Sequence, residues 1–268
     1  MTPTSLTIQE DTTPPLAKVA TAPVTEIFSS IQGEGPFVGE NQLFVRFSHC
    51  HLSCTYCDTP MRSATGECEI FGTPGLSEPT QTYPNPLKAS QLFHILQELS
   101  QASYYHSISF TGGEPLLYHA LLKEVFPHIQ ALGLKTYLET SGTQPEFLKP
   151  LLPHTDIIAM DIKLPSATGE RDYFSEHAQF LSLATQQTSC QTYTKVVLNN
   201  QITADEVQSI ITLMQPHPST LLVLQPESQP DGSTHLKAST LFQVQHTLLN
   251  SGIQVRVIPQ THKQLAIQ

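Results

Sequence analysis

The chain has 268 residues, with Asp and Glu outnumbering Lys and Arg by 23 to 13 for a formal charge of −10. Charged residues make up only 13%, against about 25% in an average domain, and no Lys/Arg cluster is visible, which argues against nucleic acid as a partner. No apolar run reaches membrane-spanning length and no basic segment leads into an apolar one, so no membrane association is expected.

Residues 1–23 are rich in Thr and Pro without periodicity and read as a flexible tail. Residues 24–268 read as one domain, long enough for a single core. Val24 to Ile31 has a strand pattern and runs into Gln32-Gly33-Glu34-Gly35, where two glycines around a carboxylate let a ligand approach the backbone. Gln42 to Ser48 reads as a second strand, with Leu43, Val45 and Phe47 on one face and Phe44, Arg46 and Ser48 on the other. A guanidinium in mid-strand needs an anion, and Arg prefers a carboxylate in two-point contact. Arg46 is therefore expected to clamp a substrate carboxylate.

That strand feeds Cys50-x3-Cys54-x2-Cys57. Three thiolates at this spacing can hold three corners of a [4Fe–4S] cube, and because full ligation takes four, one iron stays open to an outside molecule. A structural zinc with His49 or His51 as fourth ligand is the alternative on spacing alone. Three cysteines out of five within eight residues fit metal ligation in a reducing cytoplasm better than a disulfide framework; Cys68 and Cys190 read as free thiols. The segment from about 60 to 87 is rich in Gly, Pro, Ser and Thr and reads as an insertion forming a partly ordered lid.

Beyond it, helical spacing over Lys88–Ala102, His119–Leu132, Arg171–Thr185, Ala204–Met214 and Ala238–Leu249 alternates with strands. The strands are expected at Ser107–Phe110, Leu134–Leu138, Asp156–Met160, Tyr193–Leu198, Leu221–Leu224 and Ile253–Ile258. The alternation implies an α/β fold with a parallel sheet, and too few units for eightfold closure imply a partial, incomplete TIM-type barrel. Ligands gather at the carboxyl ends of such strands, where Thr111-Gly112-Gly113-Glu114-Pro115, Glu139-Thr140-Ser141-Gly142-Thr143 and Asp161-Ile162-Lys163 stand. Two glycines there allow backbone contact with a small zwitterion, and the Glu114 carboxylate can accept from its ammonium.

The cysteine loop, with aromatic Tyr56 before its last cysteine, and the Gly-Gly-Glu-Pro turn together resemble the radical S-adenosylmethionine (SAM) superfamily. Ser30-Ile31-Gln32-Gly33-Glu34-Gly35, Phe44-Val45-Arg46, Cys57-Asp58-Thr59 and Pro259-Gln260-Thr261-His262-Lys263 narrow this to a similarity with the 7-carboxy-7-deazaguanine synthase family. The resemblance implies a lyase that converts 6-carboxy-5,6,7,8-tetrahydropterin to 7-carboxy-7-deazaguanine with loss of ammonia, on the route to queuosine in tRNA and to other deazapurines. It implies a [4Fe–4S] cluster on Cys50, Cys54 and Cys57, SAM on the open iron, and Mg2+ at Thr59. SAM contacts fall to Tyr56, Cys57, Asp58, Gly113, Glu114, Ser141, Asp161, Ile162 and Lys163. Pterin contacts fall to Ile31, Gln32, Gly33, Glu34, Arg46, Thr111, Gln260 and His262. No protein acid or base is assigned. A homodimer and a flavodoxin or ferredoxin as electron donor are implied as well.

A glycyl-radical-enzyme activating enzyme would share the cluster and SAM but would leave the Gly-Glu-Gly turn and the Pro-Gln-Thr-His-Lys tail without a task. A non-catalytic metal-binding regulator is the reading from another class.

Overall fold

The computed structural model describes residues 20–59, 66–72, 75 and 78–267, and within them alternation along each strand sorts side chains between two environments. Ten strands form one sheet among the described residues. They are β1 (Val24–Ile31), β2 (Asn41–Phe47), β3 (Glu67–Phe71), β4 (Gln81–Pro84) and β5 (Ser107–Gly112), followed by β6 (Lys135–Thr140), β7 (Ile157–Asp161), β8 (Gln191–Leu198), β9 (Leu221–Pro226) and β10 (Val255–Val257). Their order across the sheet is β10-β9-β8-β7-β6-β5-β2-β1-β3-β4. From β10 to β2 every neighbour is parallel, while β1 pairs antiparallel with β2. The two ends of this order do not meet, so the barrel stays open.

Crossover helices lie between the parallel strands: α1 (Ala89–Ser100), α2 (His119–Ala131), α3 (Phe174–Gln186), α4 (Ala204–Met214) and α5 (Ala238–Asn250). Helix α4 starts where a capping box permits it. Thr203 Oγ1 accepts from the Glu206 amide at 3.2 Å and Glu206 Oε2 accepts from the Thr203 amide at 2.9 Å. The main core fills the space between these helices and the convex face of the sheet. Leu43, Val45 and Phe47 of β2, Ile108 and Phe110 of β5, and Leu222 and Leu224 of β9 are buried in it. Each such Leu or Phe contributes about 1.5–3 kcal/mol by leaving water.

Alternate residues face the concave side. There Tyr137, Ile157, Ala159, Tyr193 and Val223 make a second, smaller cluster that closes the floor of the interior. The Tyr137 and Tyr193 hydroxyls meet at 2.6 Å, and Phe37 lies edge-on to Tyr137 at 5.7 Å. Above this floor the concave positions turn polar.

Two expectations are corrected at the amino-terminal side. The packed chain begins before Val24: Thr21–Ala22 pairs with Leu87–Lys88, Ala22 is fully buried, and the Asn85 amide brackets Val24 at 3.1 and 2.8 Å. The rest of the expected tail, residues 1–19, lies outside the described residues. The insertion does not read as a lid where it is described. β3 pairs with β1, β4 pairs with β3, and neither contributes to the wall of the central cavity. Residues 60–65, 73–74 and 76–77 of the insertion lie outside the described residues.

Candidate active site

The carboxyl ends of β2 and β5 to β9 surround a cavity of about 480 Å³, within the usual range for a small-molecule site. The sequence-predicted residues from Ile31 to His262 line it together, with one exception. Ile162 is fully buried in the main core; its neighbours Asp161 and Lys163 take the concave side, so alternation sends the Ile162 side chain away from the ligand space.

The cysteine loop leaves β2 and is tied down by its neighbours. Thr55 donates to the carbonyls of Thr168 and Ala167 at 2.9 and 2.6 Å, and the Ser53 amide donates to Glu170 at 2.6 Å. Cys50, Cys54 and Cys57 all line the cavity. His51 bonds to Thr143 at 2.7 Å and His49 to Tyr118 at 3.3 Å, so each imidazole has a hydroxyl partner. Among the described residues, no three His, Cys, Asp or Glu side chains are drawn in around one point as a single ion requires. A cubane asks less of them, because each thiolate binds its own iron. Burial pushes the Cys54 thiol up to about 11, so the thiolate needs a cation to stabilise it.

The Gly-Gly turn after β5 packs on this loop backbone to backbone. Gly113 N donates to the Phe47 carbonyl at 3.0 Å and Glu114 N to the His49 carbonyl at 2.7 Å. Glu114 is corrected here. Its carboxylate is 1% exposed and accepts from the Leu116 amide (3.1 Å), the Thr140 hydroxyl (2.7 Å), the Ser141 amide (2.8 Å) and the Ser141 hydroxyl (2.6 Å). A carboxylate offers about four acceptor directions, and all are taken by the chain, so the Glu114 side chain braces the turn and has no acceptor left for a ligand.

The Gln32-Gly33-Glu34 turn sits opposite. Gln32 Nε2 donates to Glu139 at 2.9 Å and to Gln42 at 3.0 Å, while Gln32 Oε1 accepts from the Glu34 amide at 3.0 Å. Glu139 also accepts from Ser109 at 3.2 Å and Thr111 at 2.6 Å. Arg46 lies over Phe28 at 5.2 Å and gives its Nε to Glu26 at 2.6 Å, while among the described residues its terminal amino groups have no hydrogen-bond partner. The expected clamp is thus aimed from its Nε edge and open at its end.

A row of alternating charges crosses the cavity. Lys263 pairs with Asp58 at 2.8 Å, Gln260 bridges Asp58 (3.2 Å) and Glu34 (2.7 Å), and Lys195 pairs with Glu34. Lys163 pairs with Asp161 at 2.8 Å and donates to the Tyr56 hydroxyl at 3.1 Å. Burial alone would raise the Asp161 carboxyl; the two lysines override it and hold it below the usual range. Its Oδ1 is buried without a partner among the described residues, as is Gln225 Oε1, and both residues line the cavity. Orphaned acceptors in a polar wall are places prepared for a ligand's donors. The residues present therefore fit a cluster on the cysteine loop and a hydroxyl-bearing, zwitterionic cofactor beside it.

Lys195, Glu139, Glu26, Gln225 and Lys263 line this cavity and were not assigned from sequence. Lys195 and Glu139 carry the signal that exposed Arg46, a charge on the inward face of an apolar strand. Cys68 and Cys190 are free and buried, and neither lines the cavity.

The comparisons with known proteins agree with this geometry. The Radical SAM superfamily profile matches residues 44–179. The chain is similar to the 7-carboxy-7-deazaguanine synthase of Geobacter sulfurreducens, at 34% identity over 90% of this chain and 96% of the relative. It is similar to that of Methanopyrus kandleri at 34% identity over 90% and 92%, and to that of Methanothermobacter thermautotrophicus at 32% over 92% and 98%. Among solved structures, QueE from Escherichia coli shares the fold with a TM-score of 0.57 at 19% identity, covering 88% of this chain and 93% of that one.

Proposed function

The chain belongs to the 7-carboxy-7-deazaguanine synthase family of the radical SAM superfamily, and we propose how its residues divide the family's reaction among them. The enzyme converts 6-carboxy-5,6,7,8-tetrahydropterin to 7-carboxy-7-deazaguanine with loss of ammonia. A [4Fe–4S] cluster held by Cys50, Cys54 and Cys57, with SAM beside it, would supply one-electron reductive chemistry for hydrogen abstraction from the substrate. What remains for the protein is binding, orientation and exclusion of side reactions.

Cys50, Cys54 and Cys57 hold the cluster, on a loop kept in place by Thr55 and Ser53. Gly113 offers its backbone carbonyl to the methionine ammonium, with Glu114 and Ser141 fixing that turn. Asp161 Oδ1, Lys163, Tyr56 and the Asp58 backbone receive the rest of SAM. Arg46 takes the pterin carboxylate. Gln32, Gly33, Glu34 and Thr111, with Ile31 beside them, read the ring's donors and acceptors, and Gln260 and His262 close over it. His262 packs directly on Gly33, where a Cβ would lie 2.2 Å from its Nδ1. Thr59 is the proposed Mg2+ ligand: one hydroxyl suits a hard ion that keeps most of its water.

The outer side of the cysteine loop, with His49, His51, Ser53 and Cys57 exposed, is where a flavodoxin or ferredoxin would deliver an electron. Homodimerisation and a cytoplasmic location complete the proposal; no described helix is long and apolar enough to cross a membrane.

The single observation carrying this division is the convergence of the thiol tripod and the Gln32–Glu34 turn on one cavity. Anaerobic assay of Arg46→Ala for both SAM cleavage and deazaguanine formation tests it, since only the second should disappear.

A further inference from the structure

We propose that Lys195 is a positioning residue that joins the two halves of the cavity, its ammonium holding Glu34 of the substrate turn and Asp161 of the cofactor strand end in a fixed relation. The inference rests on the division of the site proposed above and adds a residue to which the sequence motifs point nowhere.

Alternation on β8 sends Lys195 inward, between Tyr193 of the floor and Val197. Its register partners are Asp161 on β7 and Val223 on β9. The side chain is 15% exposed. The ammonium is bonded to Glu34 Oε2 and stands 3.6 Å from Asp161 Oδ2. The remaining oxygens of these carboxylates divide cleanly. Glu34 Oε1 takes Gln260 at 2.7 Å, and Asp161 Oδ1 is buried without a partner among the described residues, on a residue that lines the cavity.

Three carboxylates and three ammoniums make up this row: Asp58, Glu34 and Asp161 against Lys263, Lys195 and Lys163. Lys195 is the central cation. Lys263 serves the Asp58 end and Lys163 the Asp161 end, and among the described residues neither is paired with Glu34. Removing Lys195 therefore leaves Glu34 facing Asp161 and Asp58 in a desolvated space with no counter-ion of its own. Burial works to raise the Glu34 carboxyl, and Lys195 reverses it to below the usual range. The same ammonium has a second carboxylate beside it, so a shift of Glu34 on substrate binding is felt at Asp161 without any backbone movement.

The test compares Lys195→Met and Lys195→Arg in the cluster-loaded full chain. Lys195→Met should raise KM for the carboxypterin on the order of 100-fold, the effect of stripping one partner from a buried ion pair. It should also raise the abortive 5′-deoxyadenosine released per deazaguanine. Lys195→Arg should recover most of both. Unchanged KM and unchanged coupling in Lys195→Met overturn the proposal, as does a Lys195→Arg protein that behaves like Lys195→Met. A second measurement needs no turnover: thermal unfolding of Lys195→Met, Glu34→Gln and the double variant. The Lys195→Met loss should shrink when Glu34 is already Gln, and additive losses overturn the link. Should Lys195→Met fail to fold alone, the double variant and Lys195→Arg carry the comparison. If the parent protein forms no deazaguanine, the proposed function fails, and the unfolding cycle still decides the role of Lys195.

Discussion

Gly113 and His49 are packed so closely that a Cβ built on Gly113 would lie 1.9 Å from the His49 carbonyl oxygen. His49 directly precedes the first cysteine, and its carbonyl already accepts the Glu114 amide at 2.7 Å. The contact is backbone on backbone, so no rotamer can relieve it. Gly113→Ala should therefore push the cysteine loop off its seat and cost about 2–4 kcal/mol, in the range of severe overpacking. Iron and sulfide content after anaerobic reconstitution should fall with it. Gly133→Ala is the matched control: its φ of 78° strains a side chain, but a Cβ meets nothing within 4 Å. It should cost about 1 kcal/mol and leave iron loading intact.

Among the described residues Arg46 is held by its Nε bond to Glu26 and its contact with the Phe28 ring, which leaves its terminal amino groups separable from the fold. Arg46→Ala should lower kcat/KM for the pterin on the order of 100-fold or more, as loss of a bidentate charged contact does. SAM cleavage should stay within about threefold, since no cofactor contact is lost. Glu26→Gln keeps the guanidinium and loosens only its aim, so a loss below about tenfold is expected. Equal losses of SAM cleavage and product in Arg46→Ala would remove the clamp assignment.

His177 predicts an acid limb in stability. It is fully buried, donates from Nε2 to the Ser141 carbonyl at 3.1 Å, and has no partner for Nδ1 among the described residues. Burial pulls its pKa down from 6.5 to about 4. The unfolded chain then binds a proton between those values that the folded chain refuses, so stability is full above pH 6.5 and falls toward pH 4. The loss from this group amounts to about 3 kcal/mol and stops below the folded pKa. His177→Gln retains a donor for Ser141 and should flatten that window in urea unfolding measured at pH 7, 5.5 and 4.5. An unchanged slope would count against it.

Lys263 and Asp58 separate stability from function in another way. The Asp58 side chain is 50% exposed, so the 2.8 Å pair has little to offer the fold. Lys263→Met should cost less than about 1 kcal/mol in thermal unfolding. Yet the carboxyl-terminal turn is also held by Thr261 N on the Gly33 carbonyl at 2.9 Å, and Asp58 follows Cys57 directly. KM for the pterin should consequently rise several-fold, by progress curves at saturating SAM. A stability loss with unchanged KM would reverse this reading.

Strand and helix periodicity made most of the scaffold legible. Val24–Ile31 and Ala204–Met214 fall where the pattern places them, because long one-sided patterns with a clear start leave little choice of register. β3 and β4 were not legible: at five and four residues, in a Gly/Pro-rich stretch, they form by pairing, β3 onto β1 and β4 onto β3, rather than by their own pattern. In the site, Arg46 stood out because a charge interrupts an apolar strand. Lys195 puts a charge directly before Val196-Val197 in the same way, but its purpose depends on Glu34, 161 positions away. Glu114 misled because its motif does not reveal that Thr140 and Ser141 fill its acceptors. Contacts of that kind exist only once the sheet has brought β5 beside β6.

The most direct measurement is anaerobic turnover of the cluster-loaded protein with reductant, SAM and 6-carboxy-5,6,7,8-tetrahydropterin. Formation of 7-carboxy-7-deazaguanine and ammonia, lost when any of Cys50, Cys54 or Cys57 is changed to Ala, is the predicted result. A protein that loads its cluster and cleaves SAM yet leaves the carboxypterin intact would contradict the account.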